Sequence, residues 1–406
     1  MGSALLAGGA PVPDVERQVT LLARRLGAPG VRVAATPTGL FAGLSAEDGV
    51  GFEPVTGTLR FEQVTRVQDV YERLLRGATA IPSAVRELDA IEAMPPSRPV
   101  WQSDLAMIAI GTGICAILQP TWRDLVTAAG SSLLVALLVM LSRRMAIVRT
   151  LLPLLASFAV GVLVLLVAQH WPLQGTVRTM VASFAVLLPG SMIVTGMSEI
   201  ASGAAVAGTS RLVSGVMQLV LFAVGLFAAV AVTGEQLSAL TNVRAQDLGP
   251  IAPYLGVAVI GCGIVVNVAA SRAAVPWIFL VLALTFATQS IVQAGSGLIL
   301  GALAGATVAG LAAAVVHRLS GRPLRLVVFL PAFWLLVPGS LGLLSTTELA
   351  TGQAGFNAAT IAIGTVVAVA AGTLIGSAAG RALDRLLDPA HPQDIETMDL
   401  TDMDRL

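Results

Sequence analysis

The sequence contains no lysine; all 24 of its basic residues are arginine. That leaves no Walker A lysine, no lysine Schiff base and no Ser-Lys dyad, so an ATP-driven pump is not expected. Histidine is scarce, with three in 406 residues, and neither His nor Cys falls within residues 1–100. A His-based triad or a zinc site therefore cannot be assembled there. The only two cysteines, Cys115 and Cys262, both sit in apolar runs, where free cysteine packs as a small hydrophobe. No disulfide, metal or cofactor is expected. Charged residues make up 12 % of the chain, against roughly 25 % in soluble domains. Zero net charge argues against a nucleic-acid partner.

What is abundant is apolar: 55 % of residues are hydrophobic and the mean hydropathy is +0.84. Low charge is confined to residues 101–380, whereas residues 1–100 carry an ordinary mixture of Arg, Asp and Glu. The chain divides into a soluble first quarter and a membrane remainder. The first residues lack a basic stretch and their apolar run is glycine-broken, so no signal peptide is expected. Position 6 is not Ser or Thr, so the myristoylation pattern fails too.

Within 1–100 the pattern predicts a small α+β domain. Pro13–Leu26 forms an amphipathic helix with Val15, Val19, Leu22 and Leu26 on one face. Val31–Thr36, Leu40–Leu44 and Thr58–Val64 read as three short strands, and Val67–Gly77 and Ser83–Met94 as two further helices. Pro95-Pro96-Ser97-Arg98-Pro99 forms a stiff linker to the membrane.

A spanning helix takes about 20 mostly apolar residues. Ten such stretches are expected: 103–119, 124–142, 150–169, 177–198, 212–232, 249–269, 274–292, 295–316, 325–345 and 356–379. The fold class is thus a mostly α polytopic membrane protein. Residues 1–100 are the α+β domain, 101–232 and 248–380 are two five-helix repeats, and 381–406 is an acidic tail. Because five is odd, the second repeat enters from the opposite side and the repeats are inverted. With the N-terminus inside, cytoplasmic connections hold Arg143, Arg144, Arg149, Arg211, Arg272, Arg318, Arg322 and Arg325; outer ones hold only Arg123, Arg178 and Arg244. The positive-inside rule then places both termini in the cytoplasm.

One motif occurs twice. Leu187-Leu188-Pro189-Gly190-Ser191 runs on to Glu199, and Leu336-Val337-Pro338-Gly339-Ser340 runs on to Glu348. A single offset of 149 residues superimposes the two prolines and the two glutamates. Pro-Gly removes an N–H donor and loosens the backbone, which is costly inside hydrocarbon. Matched breaks near mid-membrane point to two discontinuous helices built around a binding site, the pattern of a transporter. Ser191 and Ser340 would be N-cap-like residues of half-helices whose free N–H groups and positive dipole ends attract a carboxylate. The alternative is a pair of proline kinks serving packing. Pro189, Gly190, Ser191, Pro338, Gly339 and Ser340 are therefore the substrate-binding candidates.

Glu199 and Glu348 lie at the far ends of these helices, and Asp124 opens the second span. Ionisable residues at membrane depth are candidates for gating or proton coupling. Each also has a structural reading: Glu199 or Glu348 as a helix cap or a partner of Arg211, Asp124 as an ordinary acid at a helix N-terminus. Gln218, Asn267 and Thr285 are expected to tie helices together. Gly372, Gly376 and Gly380, four residues apart, suit close helix packing.

These segments resemble the threonine/serine exporter family of bacterial membrane proteins. The resemblance is carried by Ala182-Ser183-Phe184 through Pro189-Gly190-Ser191, Gly196, Glu199, Gly203, Gly208 and Arg211-Leu212, and by Leu330-Pro331-Ala332-Phe333-Trp334 through Pro338-Gly339-Ser340-Leu341-Gly342. Leu5-Leu6-Ala7-Gly8-Gly9 also fits the family's opening. It covers nearly the whole chain. It implies export of L-threonine and L-serine across the bacterial cytoplasmic membrane, driven by the proton motive force. Membrane lipid, protons and the amino acid are the implied partners; homo-oligomerisation stays open. A related two-protein system is associated with dicarboxylate (succinate) export, so a dicarboxylate exporter is the alternative, and a passive channel would share the paired breaks. The N-terminal domain reads as a regulatory or assembly module.

Overall fold

The computed structural model describes residues 1–43, 49–118, 121–236, 240, 248–320, 329, 331–332, 335–336 and 355–387. In the N-terminal region, apolar side chains three and four residues apart dictate the helices. α1 (Gly2–Ala7) buries Leu5 and Leu6, and α2 (Val12–Arg25) buries Val12, Val15 and Leu22. β1 (Arg32–Thr36), β2 (Gly39–Gly43) and β3 (Gly51–Pro54) form an antiparallel sheet in that order, with Phe41 opposite Phe52. α3 (Phe61–Leu75) and α4 (Ile81–Glu92) complete the domain.

The third strand is therefore not at 58–64. Val64, Val67, Val70, Tyr71 and Leu74 are one buried helical face, and Gln63 Oε1 accepts the Arg60 N–H at 2.9 Å to start that helix. The same Gln63 side chain is buried and donates to the Ile91 carbonyl at 2.8 Å, locking α3 onto the end of α4.

The membrane part comprises α5 (Val100–Ile117), α6 (Trp122–Ser142), the short α7 (Ala146–Thr150), α8 (Leu152–His170), α9 (Thr176–Phe184), α10 (Gly190–Ala201) and α11 (Ala205–Thr233). It continues with α12 (Ala252–Asn267), α13 (Val275–Ser296), α14 (Leu298–Ser320) and α15 (Gly355–Leu387). Among the described residues seven helices are long and apolar enough to cross a membrane, and the segments around α9 and α10 form an eighth span if counted as one bent pair. α12, with 16 residues, is shorter. The expected span at 325–345 lies largely outside the described residues.

Lipid offers helices no hydrophobic reason to associate, so they meet where small residues let backbones touch. α5 and α12 run antiparallel, and a Cβ on Gly113 would stand 2.7 Å from the Gly256 carbonyl oxygen. α14 and α15 run parallel; at Gly372 a Cβ would lie 2.5 Å from the Leu303 oxygen, the contact that the four-residue glycine spacing serves. α8 and α11 are likewise parallel, joined through Gly225 and Gly161. Asn267 Nδ2 donates to the Ser103 carbonyl at 2.8 Å, across the other end of the α5–α12 pair.

The two faces of the bundle differ. On one, the starts of α5 and α11 and the ends of α6 and α10 sit beneath the N-terminal domain, whose core takes in Ala204 and Ala207. On the far face, the start of α6 and the end of α8 bring Trp122 and Trp171 edge-to-face at 5.0 Å, with Arg123 over both rings. Indole rings at such a level suit a membrane interface.

Candidate functional site

The first Pro-Gly-Ser segment is a true break. α9 tightens into a 3-10 turn at Ala185–Leu187, Leu188 turns extended (ψ 137°), and α10 departs at 65°. The cause is local: proline bars the residue before it from the helical region and supplies no N–H. Pro189 itself takes the N-cap position of α10, with no side-chain cap, so Ser191 is not the capping residue. Gly190 is buried and Ser191 is exposed. On the other side of the break Leu187 loses its helical partner, and Gln218 Nε2 of α11 donates to its carbonyl at 3.0 Å.

α10 then packs in two directions. Gly196 meets Gly208 backbone to backbone, where a Cβ would stand 2.7 Å from the Gly208 oxygen. Val194 is buried with Ala302 and Ala306 of α14, Val369 and Ala370 of α15, and Leu336. Pro338, Gly339, Ser340 and Glu348 lie outside the described residues.

Asp124 is fully buried and its carboxylate is saturated. It accepts from the Thr121 hydroxyl at 2.6 Å and N–H at 3.1 Å, from the Thr179 hydroxyl at 3.0 Å, and from the Gly175 and Gln174 N–H groups at 3.3 and 3.5 Å. The Gly175 and Gln174 donors precede α9, so one acid caps its own helix and the start of the broken one.

Glu199, 1 % exposed, is held differently. Oε2 lies 3.1 Å from Arg211 Nε, and Oε1 accepts the Val12 N–H at 3.0 Å, at the first turn of α2 in the N-terminal domain. A carboxylate of the broken helix thus caps a helix 187 residues away in sequence. Asp124 and Glu199 stand at opposite ends of the bent pair, and nothing brings them together.

Sequence reasoning passed over Asp104. It is 1 % exposed, pairs with Arg143 at 2.5 Å, and has no hydrogen-bond partner for Oδ2. The signal was available: a lone acid inside an apolar run is a candidate by default. Among the described residues no cluster of His, Cys, Asp and Glu could hold a metal, and both cysteines are free.

Apolar helices of spanning length around a broken one mark a multi-pass membrane protein. The model of the ThrE family, described as "putative threonine/serine exporter", matches residues 1–233. The chain belongs to that family. No curated protein sequence and no solved structure matches it.

Proposed function

We propose that this protein exports L-threonine and L-serine across the cytoplasmic membrane, coupled to protons, by alternating access of two inverted five-helix halves around paired breaks. The observation that carries the reading is the break itself: α10 starts within the bundle with no side-chain cap on its N-terminus and packs directly against α14 and α15. A free helix N-terminus suits the substrate carboxylate. Pro189, Gly190 and Ser191 would hold it, with Pro338, Gly339 and Ser340 as the matching half; buried Leu336, two residues before Pro338, beside Val194 supports that pairing.

The inverted arrangement is supported by direction and spacing. Shifting α5, α6, α8 and α11 by 149 residues carries their starts from 100, 122, 152 and 205 to 249, 271, 301 and 354. α12, α13, α14 and α15 start at 252, 275, 298 and 355. The glycine contacts of α5–α12 and of α13–α14, followed outward, run each helix opposite to its counterpart. The third and fifth helices of each half pack in parallel. The arginine distribution supports a cytoplasmic N-terminal domain and C-terminus.

That domain acts as a regulatory module, since its α2 is held by Glu199 on the half-helix that follows the break. Protonating Glu199 would weaken its pair with Arg211 and loosen the domain, which makes Glu199 a gating candidate. Glu348 remains a candidate by its position, and Asp124 a weaker one because its donors are complete.

The test is uptake of labelled threonine, serine and succinate into everted vesicles, with and without a proton gradient. Gradient-driven threonine and serine uptake, lost on replacing Ser191 and Ser340 by alanine, is the expected result. Succinate uptake alone would give the dicarboxylate reading, and uptake indifferent to the gradient the channel.

A further inference from the structure

Beside the break, on the face that carries the N-terminal domain, a groove of about 610 Å³ opens from the bundle toward its surroundings. Its floor holds Leu187, the residue whose carbonyl Gln218 satisfies. Along one wall runs a stripe of α11 at four-residue spacing, Val213, Met217 and Leu221, about 12 Å long at 1.5 Å per residue. Val213 and Met217 are 60 % and 59 % exposed, so nothing among the described residues covers that part of the stripe. The mouth, formed by α7, carries Arg149, which is exposed and has no side-chain hydrogen bond or ion pair among the described residues. The groove is thus a trough with one cation at the membrane-surface end and mainly apolar walls, interrupted by Ser214 and Gln218, below it.

We propose that this groove binds an anionic phospholipid of the leaflet on the N-terminal-domain side, its phosphate on Arg149 and an acyl chain along Met217 and Leu221. Charge complementarity and shape both select this occupant. A guanidinium matches phosphate geometry with two parallel donors. A zwitterionic amino acid would leave the apolar wall empty and its ammonium without a carboxylate, because no acid lines the groove. The acyl chain would rest on Leu187, at the point where the span bends, so occupancy and the angle of the break are coupled. The inference needs only that the chain spans a membrane and stands whether or not the exported substrate is an amino acid.

The experiment reconstitutes the full chain in nanodiscs of equal phosphatidylglycerol and phosphatidylcholine. After mild detergent extraction, native mass spectrometry counts the lipids retained. Wild type should retain phosphatidylglycerol preferentially. One arginine near an anionic surface is worth about fivefold in occupancy, so Arg149→Gln should reduce the preference by about that factor while Arg149→Lys keeps most of it. Met217→Trp, which fills the trough without touching the cation, should reduce retention of both lipids. The proposal is overturned if Arg149→Gln and Met217→Trp both retain phosphatidylglycerol as wild type does. It is equally overturned if millimolar threonine, serine or succinate displaces the lipid, which would make the groove a site for the exported carboxylate. Should Arg149→Gln fail to fold, the Arg149→Lys and Met217→Trp pair still decides the matter.

Discussion

The two ends of the bent span are held by the same chemical group in opposite ways. At the far face Asp124 gathers five donors, from Thr121 capping α6, from the turn before α9 and from Thr179 in its first turn, so that end is bound into the membrane bundle itself. At the other end Glu199 divides its oxygens between Arg211, on the neighbouring helix, and the Val12 N–H, in a separate domain. The first end has no element able to leave without breaking the bundle. The second owes one of its two contacts to the N-terminal domain. A 65° bend thus separates a half anchored within the bundle from a half, α10, that also carries the tether to the N-terminal domain.

Removing the anchor should do the most damage. Asp124→Ala strands several buried donors, each costing about 1–3 kcal/mol, and the folded protein should be largely lost, as read by size-exclusion profile and melting temperature. Asp124→Asn, which still accepts, should recover part of that. A melting temperature for Asp124→Ala within a degree or two of wild type would erase the distinction between the two ends.

Arg211→Ala comes next. It leaves a buried carboxylate unpaired, a change worth about 3–5 kcal/mol where the site cannot relax. Here it can relax by undocking, so the expected signature is faster protease cleavage in the 95–99 linker rather than loss of the bundle. Glu199→Gln should give a milder form. Cleavage unaltered in both variants would mean that the domain is held elsewhere.

Alkaline pH acts on the tethered side through Tyr71. Burial pushes the Tyr71 phenol up to about 12 from its ordinary 10, and its hydroxyl donates to the Gln18 carbonyl of α2 at 3.3 Å. The folded state keeps that proton longer than the unfolded one. Its contribution is complete below pH 10 and is lost between pH 10 and 12, up to about 2–3 kcal/mol. Tyrosinate absorbance during alkaline unfolding, compared with Tyr71→Phe, should show this loss in the wild type and a flatter profile in the variant.

The smallest effect is expected at the hinge. Gln218→Leu leaves the Leu187 carbonyl unpaired, about 1–2 kcal/mol, seen as a modest drop in melting temperature with the domain still docked. A drop as large as that of Asp124→Ala would move the anchor from the far face to the break.

Much of this was legible in the chain. The helix break was readable because proline's missing N–H acts on its own immediate neighbours. Gln218 was expected to tie helices and does so, and the glycines at 372 and 376 were expected at a close contact and are found there. The misreadings were local competitions. Thr58–Val64 alternates well enough for a strand, yet Val64 belongs to a face continued by Val67, Tyr71 and Leu74, and the longer helical burial prevails. The apolar run at Leu5 and Leu6 forms α1 because it finds α2 and α3 to cover it. Asp104 was overlooked inside a span counted only for hydropathy.

The sequence by itself determined that this is a membrane protein whose first hundred residues carry ordinary charge, where most of its described apolar helices lie and where one of them breaks, since composition, periodicity and proline act over short distances. The pairing of Glu199 with Arg211 was among the sequence readings; the tertiary structure alone decided the remaining partners of the buried carboxylates. Asp124 reads as any acid at a helix start until Gly175 and Thr179 close over it, and the proximity of Glu199 to Val12 spans 187 residues. Such pairings depend on how whole helices and domains pack, and no local pattern encodes them.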